Sequence, residues 1–268
     1  MFNILFNPKK AERHPVEMGL LGFLYASLSI LLSVWIFPDY SSLVMVFLTV
    51  LPCVYIVQGI LRLEESKEKD YLSEEWLLRE HSRVLIFLLF LFVGFVFAFA
   101  FWTLVLPAET VSILFNMQGD VVEGIREMVA TGDATSGEAF YLILFNNFKV
   151  LFISLVFAFF YGAGAIFILV WNASVMGFVI GDLARQTLGF VALPIAFTKY
   201  FLHGIPEMMA YLTVSLAGGV IYIAVWKGHF LRQGRLKRLI LDSVILIVLS
   251  AIFLFAAAAI EVYISPLI

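Results

Sequence analysis

Charge is what this sequence has least of: Asp, Glu, Lys and Arg together make up 14% of its 268 residues, against about a quarter in an ordinary soluble domain. Hydrophobic residues make up 62% and mean hydropathy is +1.00, an excess that a water-soluble core cannot hide. Cysteine is nearly absent. The single Cys53 lies inside an apolar run, which excludes an intrachain disulfide and a cysteine metal cluster. A net charge of −3 and a pI near 5.8 exclude the broad basic surface that nucleic-acid binding requires. No Walker lysine loop, HExxH or GxSxG occurs, so no catalytic residue, metal site or cofactor is read from the sequence. No small-residue cleavage site follows the first apolar run, which predicts a retained span rather than a removed signal peptide.

What is present is long apolar runs. A bilayer core about 30 Å thick needs roughly 20 apolar residues at helical rise. Four such runs are clear: Met18 to Phe37, Ser41 to Leu61, Arg83 to Leu106 and Leu239 to Ile264. A longer apolar territory, Phe140 to Trp226, is interrupted by Gly, Asn, Asp, Arg and Pro. The 28 Phe and 5 Trp suit a surface that meets acyl chains and headgroups. The pattern predicts an all-α fold, a polytopic transmembrane helix bundle in contact with the lipid bilayer. It is read as a single membrane domain over residues 1–268. Residues 1–139 supply the N-terminal spans and an outer loop, 140–226 a core region, and 227–268 a basic loop and the last span.

Basic residues near span ends set orientation, because basic loops stay cytoplasmic. Lys9, Lys10 and Arg13 precede the first span; Arg62, Lys67, Lys69, Arg79 and Arg83 fill the second connection; Lys227, Arg232, Arg235, Lys237 and Arg238 precede the last span. These are 13 of the 17 basic residues, whereas Phe37 to Ser42 and Pro107 to Ala139 together hold one, Arg126. The sorting predicts a cytoplasmic N-terminus and a C-terminus outside. Parity then leaves five or seven crossings. With five, much of Trp171 to His203 is re-entrant or interfacial. With seven, the chain breaks near Gly162–Gly164 and again near Asp182–Gln186. Broken or re-entrant helices are expected either way, since irregular backbone at membrane depth must be buried in protein or line a wet cavity.

The connection from Arg62 to Arg83 mixes charge signs at helical spacing, including Glu65 with Lys69, and predicts solvated helix extensions. The outer loop sets Val121, Ile125, Met128 and Val129 on one helical face and Asp120, Glu123 and Glu127 elsewhere. That is the pattern of a helix lying on a surface, or of a docking site for an external partner.

Polar residues inside the core region are the candidate functional cluster: Asn146, Asn147, Lys149, Asn172, Asp182, Arg185, His203 and Glu207. An unsatisfied amide or amine in hydrocarbon costs several kcal/mol. Asn146, Asn147 and Lys149, placed near the outer end of a span, and Asn172 beyond it therefore serve either helix-to-helix hydrogen bonds or a polar ligand or partner site. Ala173, Gly177 and Gly181 recur at every fourth position and leave a smooth face for helix packing, within the chain or across a homodimer. Asp182 and Arg185 are spaced to neutralise each other. His203, Gly204, Pro206 and Glu207 read as a helix start, with Pro206 in a first turn and Glu207 near the positive end of a helix dipole. His203 and Glu207 are also spaced to meet, but one pair makes neither a metal site nor a catalytic set.

Asn146–Asn147, the Gly162 and Gly164 turn, Trp171–Asn172, Gly177 with Gly181, and His203–Gly204 with Glu207 resemble the stage II sporulation protein M family, over roughly Phe140 to Trp226. The resemblance implies a bacterial or archaeal plasma-membrane protein. It also implies membrane or envelope protein partners, because sporulation members are a subunit of a peptidoglycan-remodelling complex that acts with two partner proteins. Family members occur as well in organisms that do not sporulate. Two functions are expected from the residues themselves: a membrane scaffold that recruits or positions partners, and, as the alternative, a small-molecule or ion transporter or channel with a polar site between broken helices. Bond-breaking chemistry by His203 and Glu207 ranks behind both.

Overall fold

In hydrocarbon every backbone N–H and C=O must find a partner within the chain, and the α-helix is the local solution. A computed structural model describes the backbone of residues 15–68, 74–130, 136–161, 165–226 and 233–267, and the side chains of 15–56, 84–124, 137–159, 166–219, 221–222 and 240–267. Among them there is no strand. The Gly162–Gly164 break and the side chains of the basic loops and of Ile125, Met128 and Val129 lie outside the described residues.

The helices are α1 (Pro15–Ile36), α2 (Ser41–Glu68), α3 (Glu74–Val105), α4 (Ala108–Leu114), α5 (Asn116–Ala130), α6 (Ser136–Tyr161), α7 (Ala165–Gln186), α8 (Leu193–Trp226) and α9 (Gln233–Tyr263). Six candidate spans, in α1, α2, α3, α6, α7 and α9, are long and apolar enough to cross a membrane. The chain is therefore an all-α multi-pass membrane bundle. The four clear apolar runs fall on α1, α2, α3 and α9, and the interrupted territory becomes α6, α7 and α8. Helix α7 stops at Gln186, where the version with seven crossings expects a break, and the chain turns at Gly189, whose φ of +62° suits a residue without a Cβ. Leu188, Phe190 and Val191 are exposed around that turn.

One expectation fails here. Helix α8 starts at Leu193 and runs through Pro206, so Pro206 and Glu207 do not open a helix. The 34 residues of α8 hold enough backbone bonding and apolar packing to absorb the one N–H that proline lacks. Helix α2 likewise runs through Pro52.

The chain divides into two compact units, residues 1–133 with 170–200 and residues 134–169 with 201–268. Unit 1 is organised on α3. Of the apolar window of α3, 67% is buried, more than in any other candidate span, and Phe87, Phe92, Phe95 and Phe99 along it are fully buried. Two helices reach the α3 backbone through glycine. On the α1 side, a Cβ at Gly22 would lie 2.6 Å from the Leu91 carbonyl oxygen, and one at Gly94 would collide with the Gly19 carbonyl. On the α7 side, a Cβ at Gly177 would lie 2.5 Å from Phe99 Cβ and one at Gly181 2.6 Å from Thr103 Cβ. Residue numbers rise together across the α3–α7 contact, so these helices run parallel. Helix α1 runs the same way, with Gly19 against Phe90 and Phe23 against Phe101. Aromatic contacts fill the remainder: Phe97 stacks on Phe197 at 4.3 Å, and Phe115 on Phe178 at 5.4 Å between centroids.

Unit 2 is built from α6, α8 and α9. Phe140 meets Tyr263 while Phe148 meets Phe255, so α6 and α9 are antiparallel. Gly218 on α8 lies against Leu155, Ala158 and Phe159 on α6; a Cβ there would come within 2.7 Å of the Leu155 carbonyl. The buried side of α9 carries Ser243, Leu246, Ser250, Leu254, Ala257 and Ala258, a stripe at helical spacing.

Adding a methyl group at Gly94 or Gly177 forces backbone apart. Gly94→Ala and Gly177→Ala should each cost about 1–3 kcal/mol, whereas Gly124→Ala, with nothing within 4 Å, should gain roughly 0.5–1 kcal/mol from helix propensity. Thermal unfolding in detergent checks both signs.

Candidate functional site

Along α8, His203, Glu207 and Tyr211 recur at every fourth position and so share one face. The Tyr211 hydroxyl donates to Glu207 Oε1 at 2.9 Å, and Tyr211 is 3% exposed. Opposite them is the end of α9 and the turn that follows. His203 Nδ1 shares a hydrogen bond of 3.1 Å with the Ser265 hydroxyl. Glu261 continues the buried α9 stripe one turn beyond Ala257 and lies within electrostatic reach of Glu207 and Tyr211. Two half-buried carboxyl groups, a phenol, an imidazole and a hydroxyl thus gather where α8 meets α9. Among the described residues no group of three or more His, Cys, Asp or Glu side chains is placed to share a metal ion.

Sequence reasoning singled out His203 and Glu207 but missed Tyr211, Glu261 and Ser265. The signal was available: Glu261 is the one carboxylate between Ser243 and Ile268, and an acidic residue inside an apolar span is expensive unless it turns inward. Tyr211 is one helical turn from Glu207.

The other predicted positions divide between the units. Asn172, Asp182 and Arg185 belong to unit 1 and Asn146, Asn147 and Lys149 to unit 2. Asp182 and Arg185 do not neutralise each other, as their spacing had suggested. Asp182 accepts from the Gln186 amide at 2.7 Å, and the Arg185 guanidinium donates to the Leu106 carbonyl. Long side chains near a helix end find free acceptors more readily than a neighbour whose geometry is fixed. Ala173, Gly177 and Gly181 are buried along α7.

The Asn146, Asn147 and Lys149 group is also displaced from expectation. The candidate span in α6 is Gly137–Phe159, so these residues occupy its middle and not its outer end. Asn147 is 8% exposed, whereas Asn146 and Lys149 are exposed. The Lys149 ammonium lies 4.6 Å from the centre of the Phe145 ring. A lysine at a span centre costs on the order of 2.5–3.5 kcal/mol on insertion scales, and an exposed cation–π contact returns only about 0.5–1 kcal/mol.

In unit 1 a buried polar clasp escaped the sequence reading altogether. Gln118, at the start of α5, has no exposed surface. Its amide accepts from the Ser42 hydroxyl at 2.7 Å and donates to the Ser174 hydroxyl at 3.0 Å, while Ser174 donates to the Trp171 carbonyl. Ser42 opens α2 and Ser174 is midway along α7, so one side chain ties three helices. Phe115 and Phe178 stack beside it. Met117, Asp120, Val121, Glu123 and Gly124 of the same helix remain exposed. The clasp gave no sequence signal because its three residues are far apart in the chain and individually ordinary.

Gln118→Leu leaves two buried hydroxyls short of a partner and should destabilise by about 1–3 kcal/mol. Adding Ser42→Ala should recover part of that loss. A double-mutant cycle of detergent unfolding checks this; strict additivity would mean that the two side chains do not act together.

No curated protein and no solved structure gives a significant match to this chain. The sequence profile described as stage II sporulation protein M matches residues 84–266. That stretch runs from the buried part of α3 to the turn holding Ser265, and includes the Gln118 residue, the glycine face of α7 and the acidic groups of α8 and α9. Covering more than half of the chain, the match makes this multi-pass membrane protein a member of the stage II sporulation protein M family.

Proposed function

We propose that the chain is a membrane scaffold, an assembly subunit that holds an exposed helix in a fixed position for a protein partner in the cell envelope. The observation that carries this reading is the Gln118 clasp: α5 is fastened at its start to α2 and α7 by buried hydrogen bonds, yet keeps an acidic and apolar outer face exposed. Fixing a recognition helix before binding lowers the ordering cost of association. Backbone contacts on α3 serve the same end by removing freedom from the base that carries it.

Seven crossings, with a cytoplasmic N-terminus and an outer C-terminus, fit this reading. The parallel run of α1, α3 and α7 fits a chain that returns between them. Basic residues before α1 and α9 would then be cytoplasmic, and α5 would face outward.

A second reading, ion or solute transport, is favoured by one observation, the Glu207 and Glu261 carboxyls within electrostatic reach of each other and the Tyr211 hydroxyl bonded to Glu207. Inside a bundle such groups supply oxygen donors for a proton or cation moving along the helices.

A photoreactive residue at Val121, activated in intact cells, is expected to yield an adduct with an envelope protein that Gln118→Leu diminishes several-fold. Purified chain in liposomes should pass protons and sodium no faster than empty vesicles. Flux abolished by Glu207→Gln with Glu261→Gln, and no adduct at Val121, would establish transport instead.

A further inference from the structure

The α6 span is the least buried of the six, with 22% of its apolar window inside the fold. Its exposed side presents Phe145, Asn146, Lys149, Phe152 and Ile153, positions that fall on one helical face. Lys149 lies twelve residues from one end of Gly137–Phe159 and ten from the other. At helical rise that is about 15–18 Å, farther than an extended lysine side chain reaches to a headgroup. Among the described residues its ammonium has the Phe145 ring beside it and no carboxylate.

We propose that this face of α6 is an interface within the bilayer for a transmembrane helix of a different protein, one that carries an Asp or Glu opposite Lys149. Charge selects that occupant. Acyl chains cannot answer a buried cation, and lipid phosphates are out of reach along the helix. A second copy meeting this face by twofold symmetry brings Lys149 toward Lys149, which repels. A carboxylate pairs with the ammonium through charge-assisted hydrogen bonds, Asn146 adds a donor and an acceptor one turn away, and Phe145, Phe152 and Ile153 supply the surrounding apolar contact. The inference rests on the scaffold reading and adds a partner surface distinct from α5.

The test uses the full chain in its own membrane, with a photoreactive residue at Phe152 and, in separate proteins, at Val121 and Leu24. Irradiation at Phe152 should join the chain to one other membrane protein that has an acidic residue inside a span. Lys149→Leu and Lys149→Gln should each lower that adduct at least tenfold, Lys149→Arg should keep it, and Lys149→Glu should recover it when the partner's acid is changed to Lys. Unfolding of each purified variant confirms that the fold survives; of these, Lys149→Gln is nearest to the wild-type residue in shape. An adduct of twice the chain's own mass, labelling of lipid alone, a partner without an intramembrane acid, or an adduct indifferent to both neutral variants would overturn the proposal. Adducts at Val121 but not at Phe152 would sink this face alone. The lack of a protein adduct at all three positions would sink the scaffold reading with it.

Discussion

Unit 1 depends on one constraint: the backbone of α3 must be approachable from two sides. Gly19, Gly22 and Gly94 provide the approach from α1, and Gly177 and Gly181 that from α7. In lipid no hydrophobic force drives helices together, since acyl chains are as apolar as leucine; association comes from close packing and from hydrogen bonds. Glycine faces maximise the first. The buried phenylalanines of α3 then fill the flanks of the contact, and the Gln118 clasp contributes the second. A side chain larger than hydrogen at those positions would push the helices apart and loosen the close packing.

The two units meet the cost of polar groups in different ways. In unit 1 the amide of Gln118 and the guanidinium of Arg185 are spent on partners within the unit. In unit 2 the carboxyl groups of Glu207 on α8 and Glu261 on α9 lie within electrostatic reach of each other, and Lys149 is exposed. The first arrangement gives a firm base. The second leaves ionisable groups without a partner of opposite charge among the described residues, which is where contact with another molecule has most to offer.

Helix content and the positions of the apolar runs were legible because length and hydrophobicity are local properties. So was the small-residue spacing of Ala173, Gly177 and Gly181, which is periodic along one helix. The course of α8 was not. Pro206 beside Glu207 carries the local signs of a helix start, but a long apolar helix on both sides overrides them. Asp182 with Arg185 failed for a related reason: spacing shows which residues can meet, while free carbonyls and amides at a helix end compete for them. The site was half legible. His203 and Glu207 stand out by charge, but their company of Tyr211, Glu261 and Ser265 is fixed by how α8 lies against α9, which residue order does not state. Gln118 was invisible, since a glutamine in an outer loop reads as solvated.

The common direction of α1, α3 and α7 has an electrostatic consequence. Neighbouring spans in most bundles alternate, and their macrodipoles largely cancel. Here the glycine contacts bring together helices whose C-terminal ends, Ile36, Val105 and Gln186, point the same way, so partial negative charge from unpaired carbonyls accumulates at one end of the unit. Arg185 answers part of it by donating to Leu106 just past the end of α3. That end is therefore a place where a cation is welcome.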